Sequence, residues 1–400
     1  MTYPIGSPSP VGTMIQASVQ PADASYIPAN EGVYLRTAYP ALAALFPIGE
    51  PVSTIRTLNH PPGSWDSGFY FGYAANSSCS IVATFDNGTN GYIEYSTNGG
   101  ATWTATVAPG MAKYSAQSAI WANTRWFVNN AGDGIVYVNP NAIPTAGWVA
   151  CTVAAGIGGP HAFAYSPSLD RLVACPSGGG AGGVYYISGS AGTAFTACTT
   201  PATANYNGIC WTGSVFIIST QEAGSNTIWT STDGITFVRS YVWRQIYSAA
   251  PSSLVSDGNG TIVLWYKTSS AYSILLVSKD HGVNWTMVRN PSFNFGAIGG
   301  DALGNITDVS YTNGRFIVGF SSRSYFAASA DGMNWQTFSV MQTGIPYTAV
   351  DGRISYSNGV YFAYLYNTAT MLTFTEDSTK FRVPRPAGTS DYPYFIKATP

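Results

Sequence analysis

The stretch SKDHGVNW, residues 278–285, contains the turn that decides the fold of this chain. The same pattern returns as STDGITF at 231–237, as SADGMNW at 329–335 and, with Asn in place of Asp, as STNGGATW at 96–103. In such a turn the Asp or Asn side chain accepts hydrogen bonds from backbone N–H groups, glycine adopts a positive φ, and the aromatic residue packs between sheets. We therefore predict a structural role for the turn residues Asn98, Asp233, Asp280 and Asp331.

The turn is part of a longer repeat. Weaker copies of the turn end at three more aromatic residues, which makes seven units that close at Trp103, Trp148, Phe195, Phe237, Trp285, Trp335 and Phe381. These aromatics follow one another at intervals of 42 to 50 residues, the period of four-stranded propeller blades. Within a unit, a bend and an apolar run such as NGRFIV at 313–318 indicate a buried strand. The sequence predicts an all-β, seven-bladed β-propeller in which the Asp turn joins the third and fourth strands of each blade.

The composition agrees with short strands and excludes several partners. The 400 residues include 43 Gly, 24 Pro, 27 Tyr and 11 Trp, and only 9% are charged, with a net charge of −2. Nucleic-acid backbones and anionic membranes require clustered positive charge, so we expect neither as a partner. No apolar run is long enough for a membrane span, and no signal peptide is visible.

The cysteines and histidines show no pattern typical of a metal or redox site. The five cysteines include no C-x-x-C pair and mostly lie in apolar runs, so we expect them to be reduced and buried. The three histidines have no ligand spacing with them. We predict no metal and no cofactor.

The two ends of the chain differ from the repeat. Residues 37–46 have the apolar spacing of a short helix, the only one that we expect. The surrounding stretch VYLRTAYPALAALF, 33–46, resembles the Tyr-Pro-x-Leu segment of phage tail-collar domains, and PIG at 4–6 and GTMI at 12–15 resemble the start of that module. At the other end, FRVP at 381–384 and YFIKA at 394–398 resemble its closing segments.

This resemblance implies a small collar-like domain that is split by the propeller. Residues 1–58 and 382–400 would form the virion-attachment domain, and residues 59–381 the propeller, since inserted domains need termini that lie close together. The family consists of tail fibre and adhesin proteins. It implies other virion tail proteins as partners, a homo-oligomer with a trimer favoured, and a place in the virion tail after synthesis in the host cytoplasm.

Catalysis is the main alternative to recognition. The turn resembles the Asp-box of sialidases and other propellers, but in sialidases the Arg-x-Pro segment precedes the Asp-boxes, and here it follows them. A glycosidase needs two carboxylates about 5 to 10 Å apart, and no such pair stands out. Glu94 and Tyr95 are neighbours in a strand and so point to opposite faces. We predict no catalytic residue and no enzyme; a glycoside hydrolase and a purely structural tail or baseplate component stay open as alternatives.

The predicted ligand-binding residues lie in loops on the side of the propeller opposite the Asp turns. Aromatic rings stack on the C–H faces of sugars while amides and arginine bind hydroxyl groups, so a neutral glycan suits this poorly charged chain. A host surface glycan is therefore the expected ligand, and a protein receptor stays open. The candidate residues are Tyr241, Trp243, Arg244, Tyr247, Phe293, Asn294, Phe295, Arg323 and Tyr325.

Overall fold

The computed structural model describes residues 11, 14–16, 25–29, 32–46, 49–57, 72–85, 91–107, 118–130, 135–153, 160–176, 183–189, 192–199, 205–222, 225–244, 251–267, 273–288, 306–320, 325–339, 350–365, 370–383 and 394–398. These residues are almost entirely β-structure. The first elements in the chain are β1 (Met14–Gln16), β2 (Tyr26–Pro28), β3 (Val33–Leu35), the helix α1 (Pro40–Ala43) and β4 (Glu50–Thr57).

Seven sheets of four or five strands follow one another along the chain. Sheet 1 contains β5 (Gly72–Ala75), β6 (Ser80–Phe85), β7 (Gly91–Ser96) and β8 (Thr104–Val107). Sheet 2 contains β9 (Ala119–Ala122), β10 (Arg125–Asn130), β11 (Ile135–Asn139) and β12 (Val149–Ala150). Sheet 3 contains β13 (Thr152–Val153), β14 (Pro160–Ser166), β15 (Arg171–Pro176), β16 (Tyr185–Ser188) and β17 (Ala194–Ala197).

The remaining sheets are built in the same way. Sheet 4 contains β18 (Asn205–Trp211), β19 (Phe216–Glu222), β20 (Ser225–Ser231) and β21 (Val238–Arg244). Sheet 5 contains β22 (Pro251–Ser256), β23 (Ile262–Lys267), β24 (Ser273–Ser278) and β25 (Thr286–Met287). Sheet 6 contains β26 (Ile306–Thr312), β27 (Arg315–Phe320), β28 (Tyr325–Ser329) and β29 (Gln336–Ser339). Sheet 7 contains β30 (Val350–Ser357), β31 (Val360–Leu365) and β32 (Thr370–Asp377) together with β4, and the chain ends with β33 (Lys380–Arg382) and β34 (Tyr394–Lys397).

The sheets are arranged as a β-propeller. Within each sheet the strands of the four-stranded meander are antiparallel, and its first strand contacts the first strand of the next sheet; the first strand of sheet 7, β30, contacts β5 of sheet 1. Apolar side chains fill the spaces between consecutive sheets, for example Val263 and Trp265 of sheet 5 against Phe316 of sheet 6. The predicted all-β propeller is confirmed, and each of sheets 1 to 6 has its aromatic turn between the third and fourth strands.

Two edges of the propeller have different connections. We call the side with the tight turns between first and second and between third and fourth strands the turn edge. The opposite side, which carries the connections between second and third strands and between sheets, is the loop edge. In sheet 4 the turns 212–215 and 231–237 lie at the turn edge, and Glu222, Ser225 and Arg244 lie at the loop edge.

The last sheet is completed by a strand from the beginning of the chain. Strand β4 pairs with β32 over eight residues, from Glu50 opposite Asp377 to Thr57 opposite Thr370. The other six sheets are built from strands that are close together in the chain. The boundary expected at residue 58 is therefore corrected, since β4, assigned from sequence to the end domain, is a propeller strand. The sequence has no local pattern that identifies β4 as a propeller strand, because its partner β32 lies near the other end of the chain.

The two ends of the chain pack together at the turn edge of sheet 7. Strand β34 lies between β1 and β2, and β3 pairs with β33. Their shared core contains Leu42, Phe46, Phe381 and Ile396, and the rings of Phe46 and Phe381 stack with centroids 5.7 Å apart. We call this group of elements (β1–β3, α1, β33 and β34) the end domain.

Two sequence predictions in the end domain need correction. The helix expected over 37–46 has only the four residues Pro40–Ala43, and the Arg36 guanidinium donates hydrogen bonds to the carbonyl oxygens of Ala43 and Phe46 at its end. Phe381 was expected to pack like the other six turn aromatics. It lies instead in the core of the end domain, because the chain leaves sheet 7 after β32 and β4 takes the place of the fourth strand.

Candidate functional site

The Asp turns are stabilised by hydrogen bonds between residues of the same turn. Asp331 Oδ1 accepts hydrogen bonds from the backbone N–H groups of Met333 (2.9 Å) and Asn334 (2.8 Å) and from Ser329 Oγ (2.9 Å). Asp233 and Asp280 accept equivalent bonds from their own turns. The glycine after Asp331, Gly332, has φ +74° and no room for a side chain, since a Cβ there would lie 2.9 Å from Val263. This is the arrangement predicted for a structural turn.

These hydrogen bonds make the turns sensitive to acid. Burial raises the pKa of Asp331, but hydrogen bonds from Asn334, Met333 and Ser329 outweigh burial and bring the pKa to about 2. The folded pKa lies below the ordinary value of roughly 3.9, so the stabilisation is complete above about pH 4 and is lost as the pH falls towards 2.

We expect Asp331→Ala to lower the free energy of unfolding at pH 7 by about 2 kcal/mol, since it leaves turn N–H groups without an acceptor. The variant should also lose part of the dependence of stability on pH between about 4 and 2, measured by urea unfolding at several pH values. Asn98→Ala is the matched control, because Asn98 fills the same position without a titratable group. An Asp331→Ala protein whose stability falls with acid as steeply as that of the wild type would contradict the assignment.

A ring of hydrogen bonds joins the sheets at the turn edge. Every junction between consecutive sheets has at least one side-chain hydrogen bond there, including the junction between sheet 7 and sheet 1. The pairs are Asn76 with Ala142, Asn123 with Asp170, Arg171 with Asp233, Ser214 with His281, Lys279 with Asp331, Arg315 with Glu376, and Ser357 with Asn76. The polar groups of the turn edge are therefore largely used to hold the ring together.

The densest of these contacts surrounds Glu376. Its Oε1 accepts hydrogen bonds from the Tyr361 hydroxyl (2.7 Å) and from Arg315 Nη1 (2.5 Å), and its Oε2 accepts one from the Gly49 N–H (3.1 Å). Asn313 Nδ2 donates to the Tyr361 hydroxyl at 2.7 Å. The cluster connects sheet 6, sheet 7 and the segment that leads to the end domain. The sequence did not indicate that Tyr361 lies beside Glu376, because Arg315, Tyr361 and Glu376 lie on different strands and no local pattern links them.

The Glu376 cluster is unsuited to nucleophilic chemistry. Burial, with a smaller contribution from Glu376, raises the pKa of Tyr361 far above its ordinary value. The Tyr361 ring is buried and stacks on Phe374 with centroids 4.7 Å apart. A phenol that stays protonated and inaccessible is a poor nucleophile, so we assign the cluster a structural role.

A serine and a histidine also meet at the turn edge without forming a catalytic pair. His281 Nδ1 lies 2.9 Å from both Ser214 Oγ and Thr212 Oγ1. The Thr212 hydroxyl also donates a hydrogen bond to the Val215 carbonyl. A ring nitrogen shared by two hydroxyl groups links the turns of sheets 4 and 5, so we assign this contact a structural role.

The cysteines are equally unreactive. Cys79, Cys151, Cys175 and Cys210 are buried, Cys198 is half-buried, and none forms a disulfide. Burial raises the pKa of Cys79 to about 11 and that of Cys151 to about 12. A thiol with such a pKa is neutral at physiological pH, so it is a poor nucleophile there. The described residues include no group of three metal-ligating side chains.

Three of the four predicted ligand-binding residues for which the structure gives a position lie at the loop edge. The backbones of Trp243 and Arg244 end β21 at the loop edge, and that of Tyr325 begins β28 there. Tyr241 is half-buried and packs against the apolar cluster between sheets 4 and 5. Tyr247, Phe293, Asn294, Phe295 and Arg323 lie outside the described residues.

Irregular inner strands add a feature that the sequence did not reveal. The first strands of sheets 3 to 7 each contain a break in register close to the loop edge. A β-bulge of this kind redirects the chain locally and is common beside binding sites. In sheets 3 to 6 the extra residues are His161, Asn207, Ser252 and Thr307. In sheets 3 to 7 the inner strands thus have irregular backbone close to the loop edge.

The fold and these two edges define a β-propeller protein. No family model matches the chain, and no curated protein matches it. The chain does match solved structures of propeller proteins. The chain is similar to YCF48 bound to D1 peptide, with 14% identity, a TM-score of 0.57 and coverage of 81% of this chain and 97% of that one. Virginiamycin B lyase from Staphylococcus aureus has 9% identity and a TM-score of 0.59, covering 82% and 99%.

A puromycin hydrolase is also similar, with 11% identity, a TM-score of 0.55 and coverage of 84% of this chain and 57% of that one. At such identities the likeness shows the fold alone. Propellers of this shape include enzymes, such as the lyase and the hydrolase, and proteins of other kinds. Among the residues that the structure describes, no helix is long and apolar enough to cross a membrane.

Proposed function

We propose that this protein is a phage tail fibre or receptor-binding protein that recognises a host surface glycan through the loop edge of its propeller. One observation carries the proposal: the end domain lies at the turn edge, opposite the loop edge. The chain passes from β32 through a turn at Asp377 into β33, and β4 begins at Glu50, directly opposite Asp377. Attachment and recognition can therefore use opposite sides of the molecule.

In this proposal the seven sheets are the seven blades of one ring, closed by the pairing of β4 with β32. The end domain is a split collar-like domain, which after the correction for β4 comprises about residues 1–48 and 380–400. Its elements, β1–β3, α1, β33 and β34, share one apolar core. A compact unit made from both ends of the chain fits an attachment domain into which a propeller is inserted.

The end domain would bind other virion tail proteins and place the protein in the tail, after synthesis in the host cytoplasm. A homotrimer is the favoured assembly because the resemblance to tail-collar proteins implies one, and a trimer has the closed symmetry that is usual for homo-oligomers. Two exposed apolar side chains, Val33 and Leu35, lie on the outer face of β3 and provide apolar surface for such contacts.

The ligand is a neutral glycan because the chain offers few charges. Only 9% of its residues are charged, and at the turn edge many of the charged groups already bond to other parts of the ring. Aromatic and amide side chains, which are abundant, bind sugars without net charge. Recognition is favoured over catalysis because the sequence singles out no pair of carboxylates with the spacing of a glycosidase.

The test is a glycan array probed with the purified full chain, followed by measurement of reducing ends released from the best ligand over several hours. Binding without release is the expected result. Release of reducing ends would replace the adhesin by a glycoside hydrolase. Absence of binding to any glycan would contradict the proposal and favour a structural tail component or a protein receptor.

A further inference from the structure

Five pairs of an asparagine followed by a glycine lie within the described residues. Such pairs can lose the side-chain amide spontaneously, because a glycine, which has no Cβ, lets its backbone nitrogen approach the asparagine Cγ. The reaction needs an asparagine side chain that is free to turn and an accessible glycine N–H that makes no hydrogen bond. The pairs are Asn98–Gly99, Asn207–Gly208, Asn259–Gly260, Asn313–Gly314 and Asn358–Gly359.

Three of these pairs do not meet both requirements. Asn98 donates a hydrogen bond from Nδ2 to Thr102 Oγ1 (2.8 Å) and accepts one from the Thr102 N–H (3.0 Å). The Gly260 N–H donates to the Thr212 carbonyl oxygen at 3.0 Å, so this nitrogen is engaged. Gly208 is buried, so water cannot easily take up its proton. The two pairs in sheets 6 and 7 remain.

The two remaining pairs have the same backbone setting. Each occupies the tight turn between the first and second strands of its sheet, Asn313 in sheet 6 and Asn358 in sheet 7. The two asparagines have φ +49° and +51°, and the glycines that follow them have φ +71° and +83°. All four residues are exposed, and a Cβ on either glycine would meet no atom within 4 Å. Backbone conformation and access to water therefore do not distinguish the pairs.

The side chains of the two asparagines differ in one contact. Asn313 Nδ2 donates a hydrogen bond of 2.7 Å to the hydroxyl of Tyr361, in the next sheet. Asn358 has no side-chain hydrogen bond to any residue that the structure describes. Rotation of the amide towards the glycine nitrogen therefore breaks a hydrogen bond at Asn313 and none at Asn358.

The strand register explains this difference. Tyr361 pairs with Tyr356 directly beside the first turn of sheet 7, and Ser80 pairs with Ala75 at the same point of sheet 1. Sheet 1 therefore offers Asn358 a serine where sheet 7 offers Asn313 a tyrosine. The shorter side chain does not provide the hydroxyl that holds the amide at Asn313.

We propose that Asn358 is a site of spontaneous deamidation. The Gly359 nitrogen attacks Cγ of Asn358, and the proton of that nitrogen leaves with the side-chain amide as ammonia, which forms a succinimide ring. Water then opens the ring at the backbone carbonyl to give isoaspartate, or at the side-chain carbonyl to give aspartate. One water is consumed and one ammonia is released. This inference is independent of the proposed function.

The modified turn would lie at the junction that closes the ring. Ser357 Oγ donates to the Asn76 carbonyl oxygen of sheet 1 at 3.5 Å. Val360 lies beside a turn of sheet 1, since a Cβ on Gly99 would be 3.2 Å from Val360 Cγ2. Isoaspartate adds a carbon to the backbone of a tight turn, and the length of such a turn fixes the register of its strands. We therefore expect isoaspartate at this position to loosen the contact between sheets 7 and 1.

The test incubates the purified full chain at mildly alkaline pH and follows both sites by peptide mass spectrometry, with electron-transfer fragmentation to separate isoaspartate from aspartate. Asn358 should react about fivefold faster than Asn313, the factor expected for one neutral hydrogen bond that must first break. In urea, where neither turn is formed, the two rates should become nearly equal. Equal rates in the folded chain would overturn the proposal, and so would a difference that persists in urea, because flanking residues would then be its cause.

Tyr361→Phe is the matched variant because it removes the acceptor for Asn313 Nδ2 and leaves Asn358 unchanged. Deamidation at Asn313 should rise about fivefold, to the rate at Asn358, while the rate at Asn358 stays at the wild-type value. An unchanged rate at Asn313 would overturn the role of the hydrogen bond. Should the variant fail to fold, both rates would rise together, and the comparison of the two sites in the wild type decides.

Thermal unfolding tests the effect on ring closure. The chain enriched in isoaspartate at residue 358 should unfold at a midpoint lower by about 2 °C. Asn358→Asp is the control, because it adds the charge without the extra backbone carbon, and its midpoint should stay close to that of the wild type. A wild-type midpoint for the isoaspartate form, or an equal decrease in Asn358→Asp, would contradict the loosening by a lengthened turn.

Discussion

A chain that begins at residue 59 is expected to lose the cooperative unfolding transition that a chain beginning at residue 49 retains. The difference between the two chains is β4, whose eight residues pair with β32. Without β4, the edge of β32 is left unpaired, and sheet 7 loses its fourth strand and its link to the beginning of the chain. We expect a loss of about 5 kcal/mol or more, comparable to the whole stability of many domains.

The comparison is matched because both chains lack residues 1–48 and so lose the same part of the end domain. Urea and thermal unfolding followed by tryptophan fluorescence measure the difference, and light scattering reports aggregation through the unpaired edge of β32. Equal unfolding midpoints for the two chains would show that the ring does not depend on β4. The result would then support the boundary at residue 58 that the sequence indicated.

Glu376→Ala is expected to cause the largest loss of stability of any single substitution in the polar contacts of the turn edge. The change removes the acceptor for Arg315, for the Tyr361 hydroxyl and for the Gly49 N–H. The Arg315 and Glu376 side chains are 22% and 18% exposed, so water screens the pair only in part. We expect a loss of about 3 kcal/mol, at the low end of the range for a broken buried ion pair.

Asp377 offers a matched control because it is the next carboxylate in the chain. Its hydrogen bonds and its ion pair go to Thr379 and Lys380, within the same turn. Asp377→Ala should therefore change the unfolding midpoint only slightly. Glu376→Gln, which keeps an acceptor oxygen, should fall between wild type and Glu376→Ala. Similar midpoints for Glu376→Ala and Asp377→Ala would show that the cluster does not connect the sheets as described.

The repeating turns explain why the propeller could be recognised from the sequence. An Asp or Asn, a glycine and an aromatic residue act within eight residues or fewer, as Asp331, Gly332 and Trp335 do, so their chemistry is visible in the linear chain. The bends and apolar strands of each unit are local as well. The packing of the two ends also agrees with what the resemblance of both end segments to one module implied.

The candidate site was less accessible to such reasoning. The sequence placed Trp243 and Arg244 in a loop, whereas the backbones of both residues belong to the end of β21. The breaks in register of the inner strands, such as the one between Tyr206 and Gly208, have no local sequence pattern that would predict them.

Local chemistry thus accounts for the all-β class, the repeating unit and the Asp turns, since each depends on residues that are close together in the chain. The pairing of β4 with β32, the place of Phe381 in the end domain and the bonds around Glu376 depend on residues from distant parts of the chain. Such contacts form only when the ring closes and brings its first and last segments together. The energies of these contacts depend on packing and on the partners that the fold brings together. No short stretch of sequence determines either the packing or the partners.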